Sequence, residues 1–273
     1  MRINCKFGWD SGGCISRLLA ILLSIPLAAA AQSSIPPGTI LPVSLDGALN
    51  SVKVRAGRRV QATVMQNIPG TPVRRRAKVE GRVVETSGAG VLPARLEIVF
   101  DAVKVKGRLM PLRLGLRALA SPLEVDEAQT PEEEASRGLP PEMATTRQIG
   151  GEEVYRGGGP VAIGVRTVGW PAPYGILGLP LTGPDDLCRG VVEGNRRLQA
   201  WWLFSTQACG VYGYTNIRIY HAGRKNPLGT IILTAAKGRV MLYGGSGLLL
   251  RVLPEKAQTA FPGHPPAACN VFQ

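Results

Sequence analysis

Apolar and polar residues alternate along much of this chain with a period of two, the signature of half-buried strands. Leu41, Val43 and Leu45 alternate with small or polar residues, and Asp46-Gly47 then supplies turn chemistry. Val60, Ala62 and Val64 repeat the pattern after the basic turn RAGRR at 55–59. Val79, Gly81 and Val83 face one way while Lys78, Glu80 and Arg82 face the other, and Leu96, Ile98 and Phe100 do the same. The apolar phase then flips to Val103 and Val105, which predicts a β-bulge near Asp101-Ala102. Lys106-Gly107 turns the chain, and Leu109, Pro111, Leu112, Leu114 and Leu116 return. About six short strands without a helix predict a small closed barrel or sandwich over 35–120.

The pattern stops at 121–147, SPLEVDEAQTPEEEASRGLPPEMATTR, which is acidic, contains proline and is nearly devoid of large apolar residues. Such a composition buries too little surface to offset ordering entropy, so a linker or exposed loop is expected. From 148 to about 254 the apolar, Gly-rich pattern resumes. Strands are expected over Leu198–Ser205, Val211–His221, Leu228–Leu233, Val240–Tyr243 and Leu248–Val252, separated by HAGRKNP, AAKG and GGSG turns. The predicted fold is therefore all-β: a small N-terminal β-barrel, an acidic linker, and a second antiparallel, sandwich-like β-domain. The last residues, 255–273, are expected to be irregular.

The first residues change the cellular context. Arg2, Lys6 and Arg17 precede an apolar stretch from Leu18 to Ala31, with Ala28-Ala29-Ala30 as a cleavage motif. This describes a secretory signal peptide over 1–31, cut near Ala30-Ala31. Its 14 residues, Ser24 and Pro26 among them, are short of the about 20 that span a bilayer. A periplasmic or secreted protein is expected, with no transmembrane segment once the signal is removed. The remaining chain of about 240 residues suits one large or two small domains. Of five cysteines, three follow the signal. In an oxidising compartment Cys188 and Cys209 are candidates for a disulfide, contributing roughly 3 kcal/mol. Cys269 is left over, free or paired with one of the others.

The formal net charge of +13 points an exported protein toward acidic partners: lipid head groups, lipopolysaccharide phosphates, peptidoglycan carboxylates or an acidic envelope protein. The candidate polyanion-binding residues are Arg74, Arg75 and Arg76, together with Arg55, Arg58 and Arg59. A solvated turn at a barrel rim explains the same arginines without a ligand. Nucleic acid is not expected, because no aromatic residues interleave to stack bases.

The segments IPPGTILPVSLDGALNSVKVRAGRRVQATV, AKVEGRVVE and ARLEIVFDAVKVKGRLMPL together resemble the β-barrel domain of VirB10/TrbI-like conjugation proteins and short exported relatives of it in acidobacteria. The resemblance covers 35–117. It implies a barrel in which IPPGT opens the first strand and the F-D strand leads into a Gly-turned hairpin. It also implies that Val73-Arg74-Arg75-Arg76 sits at the exposed mouth of a hairpin. The long antenna helices and proline-rich stalk of those proteins have no counterpart here, so only the barrel fold carries over.

Catalytic chemistry finds little support. Only two histidines are present, and the cysteine spacing fits no zinc pattern, so no metal and no cofactor are expected. Gly157, Gly159 and Ala162 match a dinucleotide-binding spacing, but no convincing strand precedes them and Pro160 sits inside. GGSGL at 244–248 is not a nucleophile elbow. His221 with Ser205 or Ser246 forms no triad spacing. Glu152-Glu153 are adjacent, so on a strand they diverge. Trp201 and Trp202 point to opposite faces of a strand, and one of them, with Tyr212, Tyr214 or Tyr220, is a candidate for stacking on a sugar ring. Packing of both against the linker, the tail or a disulfide explains them equally. The expectation is a non-enzymatic binding or scaffold module of the cell envelope. An accessory component of a secretion or conjugation apparatus, and a polysaccharide hydrolase, are the alternatives.

Overall fold

A computed structural model describes residues 35–87, 90–129, 145–146, 148–151, 154–155, 160–163, 165–172, 175–178, 199–201, 203–205 and 208–254. The expected signal peptide at 1–31, the tail at 255–273, and Trp202, Cys188, Cys269, Glu152, Glu153, Gly157 and Gly159 lie outside the described residues. The first seven strands are β1 (Ile40–Leu45), β2 (Leu49–Asn50), β3 (Arg59–Val64), β4 (Lys78–Thr86), β5 (Ala94–Val105), β6 (Arg108–Pro111) and β7 (Leu114–Ala120). A short helix, α1 (Pro122–Gln129), follows. Four small strands come next: β8 (Thr145–Thr146), β9 (Val154–Tyr155), β10 (Val161–Ile163) and β11 (Arg166–Ala172). The chain continues with β12 (Gly175–Gly178), β13 (Gln199–Trp201), β14 (Gly210–Tyr212), β15 (Ile217–Ala222), β16 (Thr230–Ala235), β17 (Met241–Leu242) and β18 (Gly247–Val252).

The protein is nearly all β, as its alternation predicts. Among the described residues ten strands form one sheet in the order β14-β7-β18-β1-β3-β4-β5-β16-β15, with β6 attached to β5. Only residues 213–216 separate β14 from β15, so the two ends of this order lie close together. At the seam a Cβ on Gly115 would lie 2.9 Å from the Ala222 carbonyl oxygen, so glycine is required for the approach. The sheet thus curls into a nearly closed barrel, which is how an antiparallel sheet buries one face and hides its edges. The interior holds Leu41, Val43, Val60, Ala62, Val79, Val83, Leu96, Ile98 and Phe100, the residues singled out by alternation.

The predicted bulge is present: Glu80 pairs with Ala102 and Gly81 with Phe100, leaving Asp101 as the extra residue on β5. That one residue carries the apolar phase from Phe100 to Val103 and keeps both on the inside.

The division into a barrel at 35–120 and a second β-domain at 148–254 is not what the hydrogen bonds follow. β18 lies between β1 and β7, and β16 pairs with β5, so the last strands complete the first sheet. Antiparallel β10–β13 form a separate four-stranded sheet. The physical reason is visible in β7 and β18, which are buried on both faces. Leu116, Leu119, Leu248 and Leu250 face the barrel interior. Ala118, Ala120 and Leu249 face outward into a second core with Ile40, Val125, Ala128, Leu203 and Phe204. Each large side chain buried there contributes about 1.5–3 kcal/mol. Hydrogen bonds reinforce the contact: the Ile40 N–H donates to Gln199 Oε1 at 2.5 Å, and Arg117 Nε donates to the Ala208 carbonyl at 3.0 Å.

Two further expectations are corrected. The start of the acidic linker is helical, because Ser121-Pro122-Leu123-Glu124 is a cap followed by a proline suited to the first turn. The Ser121 hydroxyl accepts from the Glu124 N–H at 3.3 Å, and Val125 and Ala128 are buried against the barrel wall. The expected strand Val211–His221 is two strands, broken where Gly213 adopts φ 68. Among the described residues no helix is long and apolar enough to cross a membrane.

Candidate functional site: a basic barrel rim

Strand directions sort the connections onto two rims. One rim carries residues 46–58, 87–93, 213–216 and 236–246 and the start of α1. The other carries 65–77, 106–107, 112–113 and 223–229. Among the described residues the second rim holds Arg74, Arg75, Arg76, Lys106, Arg113, Arg224 and Lys225 and no aspartate or glutamate in these connections. Lys104 and Arg108 flank it on β5 and β6, both exposed. Of these cations only Arg74, Arg75 and Arg76 are three in a row in the chain and stand out there as a basic cluster. The other cations reach this rim because β4 pairs with β5, setting Lys78 opposite Lys104, and because β16 returns beside β5.

The arginine turn is held rigidly. Val73 and Ile68 are fully buried and anchor it in the barrel interior. The Ile68 N–H donates to the Val73 carbonyl at 3.1 Å, and the Arg76 N–H donates to the Val64 carbonyl at 2.8 Å. Arg74 Nη1 donates to the Thr71 carbonyl at 2.9 Å, and the Arg75 N–H donates to Asn67 Oδ1 at 3.0 Å. The three arginine side chains remain exposed. They line an open groove of about 670 Å³ together with Lys104 and Lys106. Arg76 has φ 70 and Lys106 has φ 48, left-handed conformations that favour glycine. Two cations therefore occupy places where the backbone alone would prefer another residue.

Arg75 and Arg76 also border a second open groove of about 550 Å³ on the outer wall, lined as well by Pro122, Val125 and Asp126 of α1. Asp126 and Asp46 lie on its walls. Asp46 is already engaged, with Lys78 Nζ 2.8 Å from its Oδ2 and Thr63 Oγ1 2.5 Å from its Oδ1.

Arg55, Arg58 and Arg59 are exposed but belong to the opposite rim. β3, about 17 Å long at the usual rise, separates them from the triplet, so the six candidate arginines form two patches instead of one. Arg59 pairs across the sheet with Arg82, whose guanidinium meets Asp101.

The other candidates separate as well. Trp201 is on β13, and its side chain, like Trp202, lies outside the described residues. Ala162 is on β10. Cys209 is half-buried, and its proposed partner Cys188 lies outside the described residues. Ser246 is fully buried at the rim opposite His221, and its hydroxyl donates to the Tyr243 carbonyl at 2.6 Å. Ser205 is buried against Gly151, and its N–H donates to the Ile149 carbonyl at 2.9 Å. The His221 Nδ1 accepts from the Gly223 N–H at 2.9 Å, a turn-stabilising role. Among the described residues no three His, Cys, Asp or Glu side chains are grouped to hold a metal ion.

No protein-family model, no curated protein and no solved structure matches this chain.

Proposed function

We propose that the chain is an exported, non-enzymatic binding protein of the cell envelope that engages an anionic envelope polymer, or an acidic envelope protein, through its basic rim. The observation that carries the reading is the rim itself: a rigid arginine turn beside Lys104 and Lys106, with no carboxylate in the rim's connections among the described residues. Closely spaced like charges on exposed turns repel one another, and a polyanion relieves that repulsion over several contacts at once. Export rests on the basic and apolar N-terminal sequence.

A role beside a secretion or conjugation apparatus is the second reading. The nearly closed barrel favours it, in keeping with the resemblance of 35–117 to conjugation-protein barrels. A Cys188–Cys209 disulfide would suit either reading. At Cys209 the backbone is held by Tyr212: the Cys209 N–H donates to the Tyr212 hydroxyl at 3.0 Å, which donates to the Cys209 carbonyl at 2.8 Å.

The test is co-sedimentation of the purified exported protein with peptidoglycan sacculi and with lipopolysaccharide vesicles at low and high salt. The Arg74/Arg75/Arg76→Ala variant runs alongside. Salt-sensitive sedimentation that disappears in the variant is expected. Equal behaviour of both forms would refute binding through the arginine turn, and recovery with an outer-membrane protein complex would favour the second reading.

A further inference from the structure

The rim opposite the basic one carries a groove of different chemistry. Tyr214, between β14 and β15, and Tyr243, between β17 and β18, stack with ring planes 1° apart and centroids 6.5 Å apart. Tyr214 is held from below: its hydroxyl lies 2.6 Å from Ser246 Oγ and accepts from the Tyr243 N–H at 3.3 Å. Tyr243 is 52% exposed. Its ring is an apolar plate fixed in place before any ligand arrives, because its own backbone and its stacking partner are both hydrogen-bonded into the rim.

The open groove beside this plate has a volume of about 570 Å³, enough for one sugar ring. Asn216 and Arg239, both exposed, stand on its walls, and Gly213 and Gly238 leave backbone bare between them. A flat exposed aromatic face, an amide that both donates and accepts, and a guanidinium fork are complementary to a pyranose. The axial C–H groups of a sugar pack on the ring face, its hydroxyls meet the amide, and a carboxylate meets the guanidinium. A peptide strand would need a free sheet edge, and this rim offers turns instead.

We propose that this groove binds one saccharide ring bearing a carboxylate, seated on Tyr243 and oriented by Asn216 and Arg239. The site is separate from the basic rim and stands or falls independently of it.

The test is calorimetric titration of the full-length protein with two probes. One is a hyaluronan tetrasaccharide, which carries glucuronate, and the other is a neutral tetrasaccharide of N-acetylglucosamine. Both are repeated in the Arg74/Arg75/Arg76→Ala background, so that the basic rim does not contribute. The uronate probe is expected to bind in that background. Tyr243→Ala should weaken it about tenfold, and Tyr243→Phe, which keeps the plate, should bind as the parent does. Arg239→Ala should weaken the uronate probe and leave the neutral one unchanged. Absence of binding by the uronate probe in the triple-alanine background would overturn the proposal. So would binding there that survives Tyr243→Ala, or a Tyr243→Phe variant, folded by circular dichroism, that loses it.

Discussion

Lys78 and Lys104 are direct cross-strand partners on β4 and β5, a like-charge pair on one face of the sheet. Such pairs are unfavourable unless each charge finds compensation. Lys78 does, through Asp46 at 2.8 Å, whereas Lys104 has no carboxylate partner among the described residues and borders the groove of Arg74–Arg76. Lys104→Ala should therefore weaken polyanion binding with little cost in stability. On heparin-agarose it should elute at lower salt than the parent, with the slope of log affinity against log salt falling by about one. Arg55/Arg58/Arg59→Ala removes three charges from the opposite rim and should elute close to the parent. A larger shift from that variant than from Lys104→Ala would mean that the ligand grips the other end of the barrel.

Arg76 offers a separation of stability from binding. Its left-handed backbone costs a side-chain-bearing residue about 1 kcal/mol relative to glycine. Arg76→Gly should thus raise the urea midpoint while lowering affinity for heparin. A variant that loses both would show that the guanidinium holds the turn together, contrary to the exposure of its side chain.

Asp126 is the acidic group that α1 brings to the wall of the groove bordered by Arg75 and Arg76. Its negative charge lowers the local potential that a polyanion would meet. Asp126→Asn should therefore raise the salt needed to elute the protein from heparin, and the gain should shrink when Arg75 and Arg76 are already alanine. An unchanged elution would show that the helix lies outside the electrostatic reach of the binding surface.

These relationships differ in how far the chain's local pattern reveals them. Alternation located the interior residues of β1, β3, β4 and β5, and the phase change after Phe100 located the bulge at Asp101, because both are properties of one strand read in order. Which strands pair is not a local property. Gly247-Leu248-Leu249-Leu250-Arg251-Val252 reads as a strand wherever it is placed, and its position between β1 and β7 follows from burial on both faces. The arginine triplet was legible as a basic turn, whereas its company with Lys104 and Lys106, and its separation from Arg55–Arg59, depend on strand direction. The helix at Pro122–Gln129 carried a readable signal, a serine cap with glutamate three residues on, overshadowed by the acidic composition around it. The Tyr214–Tyr243 pair joins residues from two separate turns, and no spacing in the chain announces it.

Tyr214 makes alkaline stability a direct test of the stacked pair. Burial, the largest influence, pushes its hydroxyl above the ordinary tyrosine value of 10.0, with the Ser246 and Tyr243 backbone hydrogen bonds opposing it in part. In the unfolded chain the same hydroxyl ionises near 10, so the unfolded state releases a proton that the folded state retains. The contribution to stability is therefore fully present below pH 10 and is lost as pH rises through the folded value. In urea unfolding, the parent should lose stability above pH 10 more steeply than Tyr214→Phe, which has no proton to release. At neutral pH the order reverses, because Phe cannot make the hydrogen bond to Ser246, worth about 1 kcal/mol. The difference in 295 nm absorbance between the folded parent and Tyr214→Phe should report a hydroxyl that ionises above the ordinary tyrosine value. Parallel stability curves for the two proteins above pH 10 would mean that the Tyr214 ring is open to solvent, and that Tyr243 lacks the rigid support on which its role as a plate depends.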